Sequence, residues 1–190
     1  MQAFLAPLKI NLIQQNALGV GDAEEAGLTF VENALLKARH ASIQTNLPVI
    51  ADDSGLVVHA LNGAPGIRSA RYAGVRSSSS DNIEKLLQDL KNVDLSNRQA
   101  FFYCALVFLA HPADPTPLIA EGRWDGEILT EKKGQQGFGY DPVFYVPSEK
   151  KTAAELALNI KNTISHRGKA LRILSSKINE SINVYPINNR

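Results

Sequence analysis

The segment Val49-Ile50-Ala51-Asp52-Asp53-Ser54-Gly55 decides how the chain is interpreted, because an apolar run ends there in two carboxylates, a hydroxyl and a glycine. A buried strand that carries acidic side chains to its carboxyl end, where open α/β sheets bind ligands, has this pattern. Neighbouring side chains of a strand point to opposite faces, so Asp52 and Asp53 serve one site only if the strand breaks, which Gly55 permits. We therefore expect one catalytic carboxylate. The residues alone leave open a second interpretation, in which this segment is a polar turn.

A helix is predicted upstream of this strand. Thr29 followed by Glu32 is a capping-box signature, which marks a helix N-terminus. The face of the helix that we expect to be buried carries Val31, Ala34, Leu35, Ala38 and Ala41. Asn33 and Lys37 are four residues apart and share another face, where a lysine is by default solvated.

Strand and helix patterns alternate along the rest of the chain, which favours an α/β fold. Further strands are predicted at residues 10–13, 56–61, 99–110, 119–129 and 143–146. Further helices are predicted from Ser80 or Asp81, over 152–160, and from an N-cap at Ser165. His166 and Arg167 then lie in a first helical turn, where basic side chains oppose the helix dipole and so need another reason to be present.

The composition describes an ordinary globular protein. Its 190 residues suit one domain, or one domain with a small lobe, and 44% of them are apolar against 21% charged. A net charge of +1 gives no reason to expect a nucleic-acid or membrane partner, and no apolar run reaches transmembrane length. The single Cys104 lies in an apolar run, so we expect a buried thiol and a reducing, cytoplasmic environment. We expect one domain over residues 1–179 and a loose tail over 180–190.

Four motifs, in a fixed order, make the chain similar to a known enzyme family. They are Thr29-Phe30-Val31-Glu32-Asn33-Ala34; Ala51-Asp52-Asp53-Ser54-Gly55-Leu56 with Gly63-Ala64-Pro65-Gly66-Ile67-Arg68-Ser69-Ala70-Arg71-Tyr72; Gly137-Phe138-Gly139-Tyr140-Asp141-Pro142; and Ser165-His166-Arg167-Gly168. With these motifs the chain, from about Gly19 to about Leu174, resembles the inosine triphosphate pyrophosphatase family, which includes the dITP/XTP pyrophosphatases.

The resemblance implies both a fold and an activity. The fold would be α/β, with a long, bent, mixed β-sheet flanked by helices and two lobes around a central cleft. The activity would be the hydrolysis of deaminated purine nucleoside triphosphates (dITP, ITP and XTP) to the monophosphate and pyrophosphate, with Mg²⁺ as the cofactor. Family members are commonly homodimers, so a homodimer is expected here as well.

The resemblance also assigns roles to individual residues. Glu25 and Asp53 would bind the metal ion, and Asp53 would orient or deprotonate the attacking water. Lys37, Lys161 and Arg167 would neutralise the phosphates. Residues 138–141 would recognise the base and ribose, and His166, Arg167 and the backbone near Phe138 would select the base. Besides the three cations, the substrate-binding residues that the resemblance implies are Ser54, Phe138, Gly139, Tyr140, Asp141 and His166.

One part of the family pattern is absent from the sequence. Members open with a strand and a Ser/Thr-x-Asn-x-x-Lys motif that grips the triphosphate, and no such motif precedes Gly19. Either the sequence begins at an internal start or this half of the phosphate site has been lost. In the second case we expect exposed strand edges, lower stability, compensation by dimerisation and weakened activity. The alternative function would then be that of a non-catalytic nucleotide-binding homologue.

Overall fold

The computed structural model describes residues 1–184 of the chain, with side chains up to residue 181. The α-helices within this part are α1 (Gln2–Leu5), α2 (Phe30–Thr45), α3 (Ser79–Asp89), α4 (Leu158–Ile164) and α5 (His166–Val184). The strands are β1 (Val49–Val58), β2 (Gln99–Leu109), β3 (Leu118–Ile128), β4 (Phe144–Val146) and β5 (Lys151–Thr152). Short 3-10 helices lie at Ala6–Leu8, Gln15–Leu18, His59–Leu61, Gly66–Arg71, Leu95–Asn97 and Ala153–Glu155. Helices and strands are interspersed along the chain, with β1 between α2 and α3 and the other strands between α3 and α4, which confirms the predicted α/β class.

The strands form a 5-stranded sheet in the order β1-β2-β3-β4-β5. Strand β4 pairs antiparallel with both β3 and β5. Strand β1 is continuous, so the predicted break after Asp52 and the separate strand from Leu56 are wrong. The chain stays extended there because Leu56 and Val58 are completely buried in a hydrophobic core. Asp52 and Asp53 therefore point to opposite faces of β1.

The strand predicted at residues 10–13 does not form. Ile10 and Leu12 are partly buried against a hydrophobic core, which explains their apolar pattern. Their backbone groups bond to a side chain rather than to a neighbouring strand. The Gln2 amide donates to the Ile10 carbonyl at 2.9 Å, and its oxygen accepts from the Leu12 amide at 2.9 Å.

Two predicted helix positions need correction. Helix α3 is capped by Ser78, with Asp81 completing a capping box, so it begins before the predicted Ser80 or Asp81 cap. Residues 152–160 do not form one helix, because Thr152 ends β5 and caps a 3-10 turn through Glu155. Helix α4 begins only after that turn, and it contains Lys161 rather than preceding it.

The described chain divides into two compact units. The first comprises Met1–Asp53, Cys104–Gly122 and residues from Lys169 onward. Its core is formed by completely or almost completely buried side chains of α1, β2, β3 and α5, namely Leu5, Cys104, Leu106, Ala120, Ala170, Leu171, Leu174 and Ile178. The predicted burial of the Cys104 thiol is confirmed.

The second unit comprises Ser54–Tyr103 and Arg123–Gly168. Ile83 and Leu86 of α3, together with Leu90 at its C-cap, pack into the core of this unit. Trp124 on β3 is also buried there, against the rings of Phe102 and Phe144 at centroid distances of 6.3 and 5.2 Å. Trp124 therefore has a packing role in this core.

Helix α5 continues through residues 180–184, so the predicted tail does not begin at residue 180. The rest of that tail, residues 185–190, lies outside the described residues. No helix in the described part of the chain is both long enough and apolar enough to span a membrane.

Candidate active site

Helix α2 begins with the predicted capping box, which fixes the position of its first turns. The Thr29 hydroxyl accepts a hydrogen bond from the Glu32 amide at 3.2 Å, and the Glu32 carboxylate accepts one from the Thr29 amide at 2.8 Å. These bonds satisfy backbone groups that a helix end otherwise leaves without partners. Asn33 and Lys37, one helical turn apart, are then both aimed at β1, where each contacts Asp53.

Lys37 lies between two carboxylates of the first unit. Its Nζ is 2.7 Å from Glu25 Oε1 and 2.7 Å from Asp53 Oδ1. Asp53 comes from β1, whereas Glu25 comes from the loop before α2. The fold therefore brings two acidic side chains that are 28 positions apart in the sequence (53 minus 25) to one cation.

The surroundings of this cluster shift two pKa values. Partial burial raises the pKa of Asp53 above its ordinary value, and the charge of Glu25 acts in the same direction, while bonds from Lys37 and Asn33 oppose them without cancelling them. Burial alone would lower the pKa of Lys37, but its bonds to Asp53 and Glu25 outweigh burial, so this pKa is raised. Lys37 is therefore charged at neutral pH, and Asp53 is a stronger base than an exposed aspartate.

Glu25 and Asp53 supply the kind of donors that a hard divalent cation prefers, which are carboxylate oxygens. The Lys37 ammonium now takes the position on which they converge. Among the described side chains, no group of three or more His, Cys, Asp and Glu residues could hold a metal ion. A metal ion bound by Glu25 and Asp53 would need further oxygens from water or from a ligand, and Lys37 would have to move aside.

A second polar cluster, in the second unit, is organised by Asp141. This carboxylate is 3% exposed, accepts a hydrogen bond from the Phe138 amide at 2.8 Å and forms an ion pair with Lys161 of α4. Gly137, with φ of +83°, allows the loop to lie directly against the Asp141–Lys161 ion pair. A Cβ at this position would lie 2.9 Å from Lys161 Nζ and even closer to Asp141. Asp141 thus holds the loop in a fixed shape.

The Phe138 ring is presented to solvent by this loop, with 64% of the residue exposed. Lys161 Nζ lies 5.4 Å from the ring centroid, and Arg167 Cζ lies 5.5 Å from it. An exposed aromatic face flanked by two cations is suited to a flat, anionic ligand, because the ring can stack and the cations can bind the charge.

The similarity of this chain to known proteins shows which family it belongs to. The sequence profile of the Ham1 family matches residues 1–177. The chain belongs to the Ham1 family. The dITP/XTP pyrophosphatase of Shigella flexneri is 56% identical over 174 residues, which cover 92% of this chain and 88% of that protein. The dITP/XTP pyrophosphatase of Yersinia pseudotuberculosis is 54% identical over 177 residues, which cover 93% of this chain and 90% of that protein.

Solved Ham1 structures agree with this assignment. A HAM1 protein from Coxiella burnetii superposes with a TM-score of 0.89 at 52% identity, covering 94% of this chain and 91% of that one. The Ham1 protein of Staphylococcus aureus has a TM-score of 0.85 at 42% identity, covering 95% and 91%. The fold and the family that the four motifs predicted are thereby confirmed.

Some residues predicted for the Ham1 site lie inside the protein rather than on its surface. The Tyr140 side chain is 3% exposed, and its hydroxyl donates to the Ser69 carbonyl at 2.9 Å. His166 is 6% exposed and stacks on the Phe102 ring at 4.9 Å, with an interplanar angle of 15°.

Two further predicted site residues are only partly buried, namely Gly139 and Ser54. Gly139 follows Phe138 with φ of +58°. Ser54 follows Asp53 in β1, on the opposite face of the strand.

The structural part that Asn33 plays was not predicted from the sequence. This residue is completely buried and contacts both Asp53 and the backbone of the loop that carries Glu25. The only signal in the sequence was that Asn33 lies one turn from Lys37 on the same face, which does not reveal what either side chain touches.

Proposed function

We propose that this Ham1 protein hydrolyses dITP, ITP and XTP to the corresponding monophosphate and pyrophosphate. The observation that carries the proposal is the Glu25–Lys37–Asp53 cluster, in a chain 56% identical to a protein named dITP/XTP pyrophosphatase. Because the acidic groups and the lysine that the chemistry requires are together, a non-catalytic homologue is the less favoured alternative.

The first unit is assigned the chemistry at the phosphates. Pyrophosphate release depends mainly on placing a water molecule in line and on neutralising charge. Asp53, with its raised pKa, is the proposed base that orients this water or takes its proton. Lys37, released from the carboxylates, would neutralise phosphate oxygens.

Mg²⁺ is the proposed cofactor, and Glu25 and Asp53 are its proposed ligands. Their oxygens fit a hard cation, and the two side chains already share one positive charge, that of Lys37. When bound, Mg²⁺ would neutralise phosphate charge and polarise the water. The residues themselves supply the carboxylates that hold it and the base that acts beside it.

The second unit is assigned recognition of the nucleotide. Phe138 offers an exposed ring for a base, and Lys161 and Arg167 offer cations. Asp141 and Tyr140 would act by shaping the loop through their buried bonds, and Gly139 would allow the backbone its φ of +58°. Ser54 and His166 complete the proposed set. Protein groups that hydrogen-bond to the C6 oxo group of a deaminated base would be left without a partner by the C6 amino group of adenine. Such a mismatch favours the deaminated nucleotide by roughly 10⁴-fold or more.

The proposal extends to the state of the protein in the cell. We infer a homodimer from the family resemblance, and a cytoplasmic location from the single, buried Cys104, which fits a reducing compartment. The partners expected are small nucleoside triphosphates, with no nucleic acid and no membrane.

The proposal is tested by measuring pyrophosphate release from dITP, ITP and XTP, beside ATP, GTP and dGTP, with and without Mg²⁺. We expect release from the deaminated nucleotides to exceed release from the others by roughly 10⁴-fold in kcat/KM, and to require the metal ion. Equal rates on ATP and ITP, or release of orthophosphate in place of pyrophosphate, would contradict the proposal.

A further inference from the structure

Asn33 connects the two parts of the chain that carry the acidic residues of the first unit. Its Oδ1 accepts a hydrogen bond from the Gly27 amide at 2.9 Å, and its Nδ2 donates to Asp53 Oδ2 at 3.4 Å. The orientation of the amide group is fixed, because a backbone N–H only donates and a carboxylate only accepts. Gly27 belongs to the same loop as Glu25, two residues away.

Gly27 is packed so closely against α2 that no larger side chain fits at this position. A Cβ at Gly27 would lie 2.7 Å from Asn33 Oδ1 and 2.7 Å from the Cβ of Glu32. The loop therefore passes against the start of α2 at van der Waals distance, and Asn33 itself is 0% exposed. A completely buried amide with partners on both sides behaves as a rigid link.

Asn82 of the second unit shows what a purely structural asparagine does at the same helical position. Both residues directly follow the acid of a capping box, Glu32 in α2 and Asp81 in α3. Asn82 is 4% exposed; its Oδ1 accepts from the Ala73 amide at 2.7 Å, and its Nδ2 donates to the Ala70 carbonyl at 3.1 Å. The Asn82 Oδ1 also accepts from the Ser77 hydroxyl at 2.8 Å. These three partners of Asn82 are neutral groups, whereas Asn33 donates to the Asp53 carboxylate.

We propose that Asn33 is a positioning residue, which sets the Asp53 carboxylate relative to the loop that carries Glu25. The inference rests on the function proposed above and adds a residue to it. Asn33 acts on one oxygen of Asp53, while Lys37 binds the other. Because Lys37 must leave when a cation and a triphosphate bind, the contact with Asn33 is what keeps the carboxylate oriented afterwards. Contacts to catalytic groups are often long without substrate and shorten when it binds, which fits the 3.4 Å distance.

The test compares Asn33→Ala with Asn82→Ala in the full chain. Both substitutions remove a buried amide at the same helical position, so both lower the melting temperature. We expect Asn33→Ala to lower kcat for dITP by about 10- to 100-fold with KM changed less than about threefold, while Asn82→Ala keeps kcat within about threefold of the parent protein. Hydrogen exchange at the Gly27 amide should accelerate in Asn33→Ala only.

Other outcomes are equally decisive. Equal kcat in the two alanine variants, or an equal fall in kcat for both, overturns the inference. If Asn33→Ala does not fold, Gly27→Ala displaces the loop while leaving the amide of Asn33 in place, and an unchanged kcat in that variant overturns it as well. A parent protein that does not hydrolyse dITP contradicts the proposed function instead, and the exchange of the Gly27 amide then decides whether Asn33 fixes the loop.

Discussion

Lys37 acts as an internal counter-ion for Glu25 and Asp53. The lysine side chain is 27% exposed, so its two ion pairs are only partly screened by solvent. It offsets the repulsion between the carboxylates and holds the position that a divalent cation would otherwise take. In the proposed function, the same residue would serve two partners in turn, first the carboxylates and then the phosphates.

Replacing Lys37 separates these two roles. In Lys37→Met we expect the nucleotide-free protein to bind Mn²⁺ about tenfold more tightly, because a competing positive charge near the surface has been removed. We expect kcat/KM for dITP to fall by roughly 10²-fold, because the phosphates lose a cation that stabilises the transition state. Metal titration by electron paramagnetic resonance and steady-state kinetics measure the two effects.

Lys85→Met provides the matched control for this prediction. Lys85 also pairs with a carboxylate, Asp89, at 3.0 Å, but it lies on α3 outside the cluster. We expect neither metal affinity nor kcat/KM to change in this variant. Unchanged Mn²⁺ affinity in Lys37→Met would show that the ammonium does not occupy the metal position.

Among the secondary-structure elements, helix α2 has a capping box whose contribution to stability depends on pH. Hydrogen bonds from the Thr29 hydroxyl and from the amides of Leu28 and Thr29 lower the pKa of Glu32 below its ordinary value of 4.5. A carboxyl group whose pKa is lower in the folded state contributes stability that is complete above its ordinary pKa. This contribution is lost as the pH falls through the lowered value.

Glu32→Gln should therefore make stability less dependent on pH in the acid range. Glutamine can still accept the capping hydrogen bond but cannot be protonated there. We expect the urea midpoint of Glu32→Gln to fall less than that of the parent protein between about pH 6 and pH 3. The same substitution at the exposed Glu24 gives the background, and identical pH dependence in all three proteins would contradict the argument.

The elements that were predictable from the sequence are those with local signals. The Thr29 and Glu32 pair predicted the start of α2, and the apolar runs predicted β2 and β3 to within one residue at each end. The failures depend on long-range contacts. Residues 10–13 have the apolar pattern of a strand, but their backbone bonds to Gln2. The continuity of β1 depends on a core that no local pattern in that segment reveals.

Across the molecule, the motifs supplied the residues proposed for the site but did not reveal what each one contacts. Asp53 and Lys37 are partners, although Asp53 came from a motif and Lys37 only from a helix face on which a lysine is by default solvated. The sequence also did not show that the His166 ring stacks on Phe102; its contact with substrate stays a prediction. Which side chains become buried is decided by packing between distant segments, which a single sequence does not display.

In the proposed mechanism, one of two adjacent carboxylates performs the chemistry. Asp53 faces Lys37, and Asp52 lies on the opposite face of the continuous strand β1. The most direct test is to measure Mg²⁺-dependent pyrophosphate release from dITP by Asp53→Asn and Asp52→Asn. We predict a loss of at least about 10³-fold in kcat for Asp53→Asn, and a change of less than about fivefold for Asp52→Asn. Retained turnover in Asp53→Asn, or equal losses in both variants, would contradict this account.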